Sequence, residues 1–343
     1  MSETERYDGD PFERLRDDIE ALAFVEELLL PGTESKLRAA LPLPEDLEHT
    51  PIILDTDIGG DPDDAITVVA AARTCPQLAL VLTTDETASG GRARFARWLL
   101  DELGRAEVAV AAGARLTAAS YYCVEGLVPG SVGEQPGDVL GAVQAVCAAT
   151  QGPVRWVGLG PLTNLAKVLE RDPDLAQQLR LTQMGGTLQH PDAQHAEHNV
   201  ALDVAAAQAV LRAVAHQRLT IPEFVSTDVT VHGDTAVTSA SSLYQRLTAS
   251  GSPLWAQILA QHLDRWFERF HPQTHQHDPL TLTAALDLPF VESHKIRVMI
   301  DDTGRIRRDD GVPVWWSFQA RYELFMPWLS RVIDPATEVA VSP

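Results

Sequence analysis

Basic residues are scarce in this chain. Lys and Arg number 27 against 48 Asp and Glu, a formal net charge of −21 at pH 7. So negative a protein repels nucleic acid, anionic membrane surfaces and polyanionic substrates, and none of these is expected as a partner. Cysteine is scarcer still. Cys75, Cys123 and Cys147 are scattered and odd in number, which argues against a disulfide framework and for a reducing cytoplasm. No apolar run reaches 18 residues, so no membrane span is expected. The N-terminus is polar and acidic, without the basic start and apolar core of a signal peptide. Heptads, tandem repeats and low-complexity tracts are also missing. What is present is 343 residues, 45% hydrophobic and 22% charged, enough to bury a large α/β core.

The rest of the chain is organised around Pro51-Ile-Ile-Leu-Asp55-Thr-Asp57-Ile-Gly59-Gly-Asp61-Pro-Asp63-Asp64-Ala65. Ile52 to Leu54 reads as a buried strand, and Ala65 to Arg73 as a buried helix. Five carboxylates therefore sit where a strand ends and a helix begins, which is where open α/β sheets bind ligands. Like charges packed this tightly are costly without a cation, and clustered oxygen donors favour a hard ion such as Ca²⁺ or Mg²⁺. The plainer alternative is that Asp61 to Asp64 cap and charge a helix N-terminus. That leaves Asp55 and Asp57, on the strand side, without a reason.

Residues 1–49 form an extension whose span from Pro11 to Leu30 has apolar positions at helical spacing and stops at Pro31-Gly32. Residues 50–335 read as one α/β domain with a mostly parallel open sheet, and 336–343 as a tail. Strands are expected at Leu78–Thr84, Val108–Ala112, Val154–Leu159, Leu181–Met184 and Arg218–Pro222, alternating with helices; the spacing implies right-handed crossovers. The acids Asp85 and Glu86 end the second strand, where a sugar contact and a simple helix cap are both open readings. From Thr235 to Phe270 the pattern turns helical, with Trp255, Trp266, Phe267 and Phe270 among its apolar positions. His271, His275 and His277 fall within seven residues beside Asp278. A zinc site on these histidines is disfavoured by the excess of carboxylates over soft ligands. The tail alternates as two strands, Lys295–Ile300 and Val312–Phe318, before a helix from Arg321 to Val332. Every chemical motif ahead of Thr235 falls at the end of an expected strand, as one composite site requires.

Five of these motifs, in this order, resemble the inosine-uridine-preferring nucleoside hydrolases: Asp55-Thr-Asp57…Asp63-Asp64-Ala65, Gly160-Pro-Leu-Thr-Asn164, Met184-Gly-Gly186, Ala196-Glu197-His-Asn199 with Asp203, and His277-Asp278-Pro279. The resemblance covers most of residues 51–333 and implies a Rossmann-like fold and hydrolysis of a ribonucleoside N-glycosidic bond. By that resemblance Asp57, Asp64, the Leu159 carbonyl and Asp278 would hold Ca²⁺, and Asp57 would be the general base on a metal-bound water. Asp63, Glu197 and Asn199 would hold ribose hydroxyls, with Asp85, Glu86 and Trp266 as further substrate-binding candidates. His277 would lie near the base and help to protonate the leaving group. Asp55 would support the acidic loop from behind. The resemblance also implies a nucleoside-like small molecule as partner, purine or pyrimidine salvage, and a homodimer or homotetramer.

The chemistry suits these residue types. Breaking the bond passes through an oxocarbenium-like state that anionic groups stabilise, while a metal lowers the pKa of the attacking water. Several departures from the family pattern concern the pockets around sugar and base. The first motif carries two extra residues near Gly60-Asp61. Asp85-Glu86-Thr87-Ala88 stands where a Gly-Asn is usual, and Gln189, His190 and Asp192 replace an asparagine. Tyr121-Tyr122-Cys123-Val124-Glu125 replaces a histidine-containing segment, and His198 occupies a commonly aromatic position. A modified nucleoside or other ribosyl compound is therefore an open substrate, and a relative that binds without turnover is an open alternative. A third is a haloacid-dehalogenase-type phosphatase built on Asp55-Thr-Asp57, though it leaves the Gly-Pro-Leu-Thr-Asn, Glu-x-Asn and His-Asp-Pro segments unexplained.

Overall fold

The computed structural model describes residues 49–116, 121–189 and 195–337. The expected helix over residues 11–30 and most of the expected tail lie outside them. From the first described strand, β1 (Ile52–Thr56), the chain passes through the acidic turn into α1 (Asp63–Thr74), then β2 (Leu78–Thr83), α2 (Gly91–Glu102) and β3 (Ala109–Ala111). A long loop precedes α3 (Val139–Ala148), β4 (Val154–Gly158), α4 (Thr163–Arg171), β5 (Leu179–Met184), α5 (His198–Leu202) and α6 (Val204–Ala215). Next come β6 (Glu223–Val225), α7 (Thr227–Thr230), β7 (Ala236–Val237), α8 (Ser242–Leu247), α9 (Leu254–Arg269), β8 (Thr274–His275) and α10 (His277–Ala285). The described part closes with β9 (Val291–Ile300), β10 (Ile306–Arg308), β11 (Val312–Ala320) and α11 (Tyr322–Val332).

Nine strands form one sheet in the order β10-β9-β11-β6-β5-β4-β1-β2-β3. All pairs from β11 to β3 are parallel, while β9 runs antiparallel to both its neighbours. The mostly parallel open sheet expected from the strand–helix alternation is thus found. Its central strands read as unbroken apolar runs because both faces are covered; every residue of β1 is buried. One core packs α1, α2, α9, α10 and α11 on one face. A second packs α3, α4 and α6 on the other. The two edges are modest. β3 has three residues, with Ala112 N beyond it bonded to Pro136 O (2.8 Å). β10 also has three, of which Arg307 and Arg308 are exposed.

From β1 the chain steps outward to β2 and β3, then returns to place β4 on the other side of β1. Crossover helices leave in opposite directions from β1 and β4, so a crevice opens at the carboxyl ends of these two strands. The acidic turn and Leu159-Gly160 lie at its two lips. α10, buried along nearly its whole length, packs against α1 and behind β4 and β5, so its first turn arrives at the same crevice.

Two expectations are corrected. The strand expected at Arg218–Pro222 is instead β6, Glu223–Val225. Pro222 has no N–H to give a ladder; its carbonyl accepts from Trp315 N (2.9 Å), and strand pairing begins beyond it, at Glu223. The stretch from Thr235 to Phe270 is not helical throughout. It opens with β7, which pairs antiparallel with β8, and then breaks between α8 and α9 at Gly251, whose φ of +85° suits glycine.

Candidate active site

The acidic turn is a scaffold of side-chain-to-backbone bonds. Thr56 Oγ1 accepts from Ile58 N (3.1 Å) and donates to the Asp64 carboxylate. Asp64 N donates to Asp63 Oδ1 (3.1 Å), and Asp278 N, in the first turn of α10, donates to Asp63 Oδ2 (3.3 Å). The N-termini of α1 and α10 thus converge on one carboxylate, as their dipoles favour. Thr274 Oγ1 donates to Asp61. A Cβ on Gly60 would lie 2.6 Å from the Tyr121 carbonyl oxygen, so the turn requires glycine to pass beneath the aromatic loop.

Asp63, Asp64 and Asp278 are all buried and each brings a carboxylate oxygen within 4.8 Å of the others. Among the described residues this is the group of three that could hold a metal ion; His271, His275 and His277 do not form one. Burial, and then the neighbouring carboxylates, push all three acids well above the usual carboxylate range. Burial likewise raises Asp61 to about 7 and Asp55 to about 8. Asp57 is raised by burial too, against the opposing pull of Arg92 and then His198. Acids that must stay protonated without a partner, all with oxygen donors, suit a hard divalent cation. The donor set fits such an ion. The tight group contains Asp63 where the resemblance implied Asp57, which stands close enough to raise its neighbours but outside the triad.

The opposite lip is built on Gly160, where a Cβ would come 2.7 Å from Thr84 Cγ2 and 3.2 Å from Asp57 N. Asn164 ties the strand ends together. Its Nδ2 donates to Asp55 Oδ1 (2.8 Å) and Thr83 O (2.9 Å), and its Oδ1 accepts from Ala114 N (2.9 Å). Asp55 is thereby tied to the start of α4 by Asn164. Asn199 Nδ2 donates to the Leu159 carbonyl (2.7 Å), the oxygen implied as a metal ligand; that oxygen keeps its second lone pair. Glu197 caps α5, accepting from Gly186 N (2.9 Å), Asn199 N (2.9 Å) and Val200 N (3.2 Å). Its carboxylate fixes the Gly185-Gly186 turn and the approach of Asn199.

The two acids after β2 part company. Glu86 accepts from Thr83 Oγ1, Thr87 N, Arg92 N and Ala93 N at 2.7–2.9 Å. It is the cap of α2, whose own N-cap residue, Gly90, has no side chain to do so. The capping reading of Glu86 is the one these bonds support. Asp85 faces Arg92, with Oδ2 3.7 Å from Nη2. Arg92 is the residue that the motifs missed. It is 1% exposed, and it donates to Asp85 O (3.0 Å), Ile58 O (2.9 Å), Tyr121 O (3.3 Å) and Asp57 O. A signal was available: a cation in the first turn of a helix opposes the dipole and needs a reason to be there.

Over the acidic turn stands an aromatic wall. Tyr121, 45% exposed, lies 5.6 Å from the His198 ring, 5.7 Å from Phe270 and 6.1 Å from Trp266, which stacks on Phe270 at 5.2 Å. Trp266 Nε1 donates to Gln273 O (2.9 Å). His277 lies within hydrogen-bond distance of Thr230 through Nδ1 (2.6 Å), and burial, with His275 beside it, pushes its imidazole down to about 3. It is uncharged at neutral pH. Tyr121, Phe270 and His198 were not among the expected substrate contacts, because their meeting joins three distant stretches of chain.

Comparison with known proteins agrees with the fold and the family resemblance. The family described as inosine-uridine preferring nucleoside hydrolase matches residues 52–328. The non-specific ribonucleoside hydrolase RihC of Shigella boydii serotype 4 (strain Sb227) is 31% identical over 205 residues, covering 52% of this chain and 66% of that one. RihC of Escherichia coli (strain K12) is 32% identical over 203 residues with the same coverage. The match thus spans just under two thirds of these relatives. A plant nucleoside hydrolase, PpNRh1, superposes with a TM-score of 0.70 at 20% identity, over 83% of this chain and 99% of its own. A purine-preferring ribonucleoside hydrolase from Gardnerella vaginalis gives 0.69 at 19% identity, over 85% and 100%. These two likenesses bear on the fold.

Proposed function

Because the chain belongs to the inosine-uridine preferring nucleoside hydrolase family, we propose that it hydrolyses the N-glycosidic bond of a ribonucleoside or related ribosyl compound, releasing free base and ribose. The observation that carries the reading is the buried triad Asp63, Asp64 and Asp278, joined from two helix N-termini at the sheet's switch point.

Asp64 and Asp278, with Asp57 and the Leu159 carbonyl, would hold Ca²⁺, which when bound neutralises the acids and makes water more acidic. Asp57 is the base: its carboxylate takes a proton from the attacking water. Asp63 accepts a ribose hydroxyl, and Asn199, oriented through Leu159 and Glu197, holds another. As the bond to the base lengthens, positive charge gathers on the sugar, and the surrounding buried carboxylates stabilise it. The leaving base lies along the wall of Tyr121, Trp266 and Phe270, whose faces suit a planar heterocycle. His277 enters as a neutral imidazole held by Thr230. Cytoplasmic residence, a salvage role and assembly as a homodimer or homotetramer complete the proposal. The buried free thiols of Cys75, Cys123 and Cys147 support the first of these, and among the described residues no helix is long and apolar enough to cross a membrane.

The test is a hydrolysis assay on purine and pyrimidine nucleosides and a nitrophenyl riboside, following released base and reducing sugar with and without chelator. Turnover that disappears with chelator and in Asp57→Asn supports the reading. Silence on every substrate by protein that still binds Ca²⁺ refutes it.

A further inference from the structure

Departure of a base as its anion is difficult, so a hydrolase of this kind needs a proton donor beside the leaving group. His277 is the residue the motif order offers, yet it is half-buried and its Nδ1 is taken up at 2.6 Å from Thr230 Oγ1. A second imidazole is better placed. His198 is the first residue of α5, between Glu197 and Asn199, and its side chain is exposed. Its ring meets Tyr121 at 5.6 Å and 65°, and Tyr121 in turn contacts Trp266 and Phe270. On the other side it lies near enough to Asp57 to oppose the rise that burial imposes on that acid. His198 thus bridges the two halves of the site, the water-activating acid and the wall along which the base lies.

Resting on the hydrolase reading above, we propose that His198 delivers the proton to the departing base. The bond from C1′ to the base nitrogen breaks with its electron pair going to the base, and the His198 imidazolium proton passes to a ring nitrogen or oxygen of that base. The water oxygen bonds to C1′, and the proton it sheds goes to Asp57. One proton leaves the protein and one arrives, so its charge is unchanged. The exposed imidazole regains its proton from solvent as Asp57 returns one. The substrates this arrangement serves are ribosides of planar heterocycles with an acceptor atom near the glycosidic bond. Ribosides whose leaving group is already a stable anion gain nothing from it.

The test compares wild type with His198→Phe, which keeps a ring against Tyr121, and with His198→Gln. Each is assayed on the best natural nucleoside and on p-nitrophenyl riboside, and the Ca²⁺-induced rise in Tm monitors the intact site. The expected result is a loss of about 10²–10⁴-fold in kcat on the nucleoside and a change of no more than a few-fold on the nitrophenyl riboside. Unchanged turnover of both overturns the assignment while leaving the hydrolase reading standing, and equal losses on both overturn it in favour of a positional role. A wild type silent on both substrates removes the hydrolase reading and this assignment together.

Discussion

Replacing Arg92 by Met removes a charge from the interior while keeping a similar length of apolar chain. The guanidinium is 1% exposed and its donors meet the carbonyls of Asp57, Ile58, Asp85 and Tyr121, with the Asp85 carboxylate 3.7 Å away. Methionine leaves four carbonyls without a charged donor and takes the guanidinium away from the buried Asp85 carboxylate. Breaking a buried pair from one side costs about 3–5 kcal/mol, because the remaining charge is uncompensated. In a domain of this size each kcal/mol moves Tm by about 2 °C, so Arg92→Met melts roughly 6–10 °C lower. Urea titration gives the free energy directly, with an unchanged m-value if the variant remains two-state. Arg92→Lys restores the charge but not the fork that reaches several carbonyls at once, and falls between the two. A loss below about 1 kcal/mol for Arg92→Met would show that no buried clamp exists at this position, since exposed pairs are worth no more than that.

Ca²⁺ at a hundredfold excess over its Kd raises stability by about 2.7 kcal/mol, or roughly 5 °C by thermal melt. Asp278→Asn abolishes that rise yet melts no lower than wild type in chelator, because a neutral amide replaces an acid whose charged form burial and its neighbours disfavour; a destabilised, calcium-free Asp278→Asn contradicts the triad. His262 is fully buried, with Nε2 3.0 Å from the Gly60 carbonyl, and burial lowers its imidazole from 6.5 to about 4. The unfolded chain takes up that proton first, so stability is full above about pH 6.5 and falls by about 3 kcal/mol as pH drops towards 4. In His262→Gln that part of the pH slope disappears, and equal slopes in urea midpoints from pH 7 to 4 would refute the assignment. Glu86→Ala lowers stability by about 2 kcal/mol, as loss of a helix cap does, without changing KM of the folded enzyme. A tenfold rise in KM at unchanged Tm would return Glu86 to the sugar pocket.

The elements legible in the sequence were those whose burial is one-dimensional. β1, β2, β4 and β5 lie between two helical layers and read as apolar runs, and their ends drew attention to Asp57, Asp63, Asp64 and Asp278. β6 was misplaced because its three residues carry little pattern and Pro222 stands at its threshold. Contacts that join distant stretches left no local trace. Asn164 binding Asp55 across 109 positions, or Arg92 reaching Asp57, Ile58 and Tyr121, needs the sheet order to be known first. The division of labour between Asp85 and Glu86 was open for the same reason. Only the path of α2 shows which carboxylate meets its first N–H groups.

The sheet's two ends have a bearing on the life of this protein in a crowded solution. Open sheets invite a stray strand to pair along their rims, which is how many β proteins begin to aggregate. Here one rim is three residues long and already answered beyond its end by the Pro136 carbonyl, and the other runs from β10, with Arg307 and Arg308, onto the part of β9 that β10 does not pair, which carries Glu292, Lys295 and Arg297. Neither offers a long, flat, uncharged template. A folded molecule can therefore be concentrated without its nine strands becoming a seed, and the hazard is confined to chains whose edges have not yet been put in place.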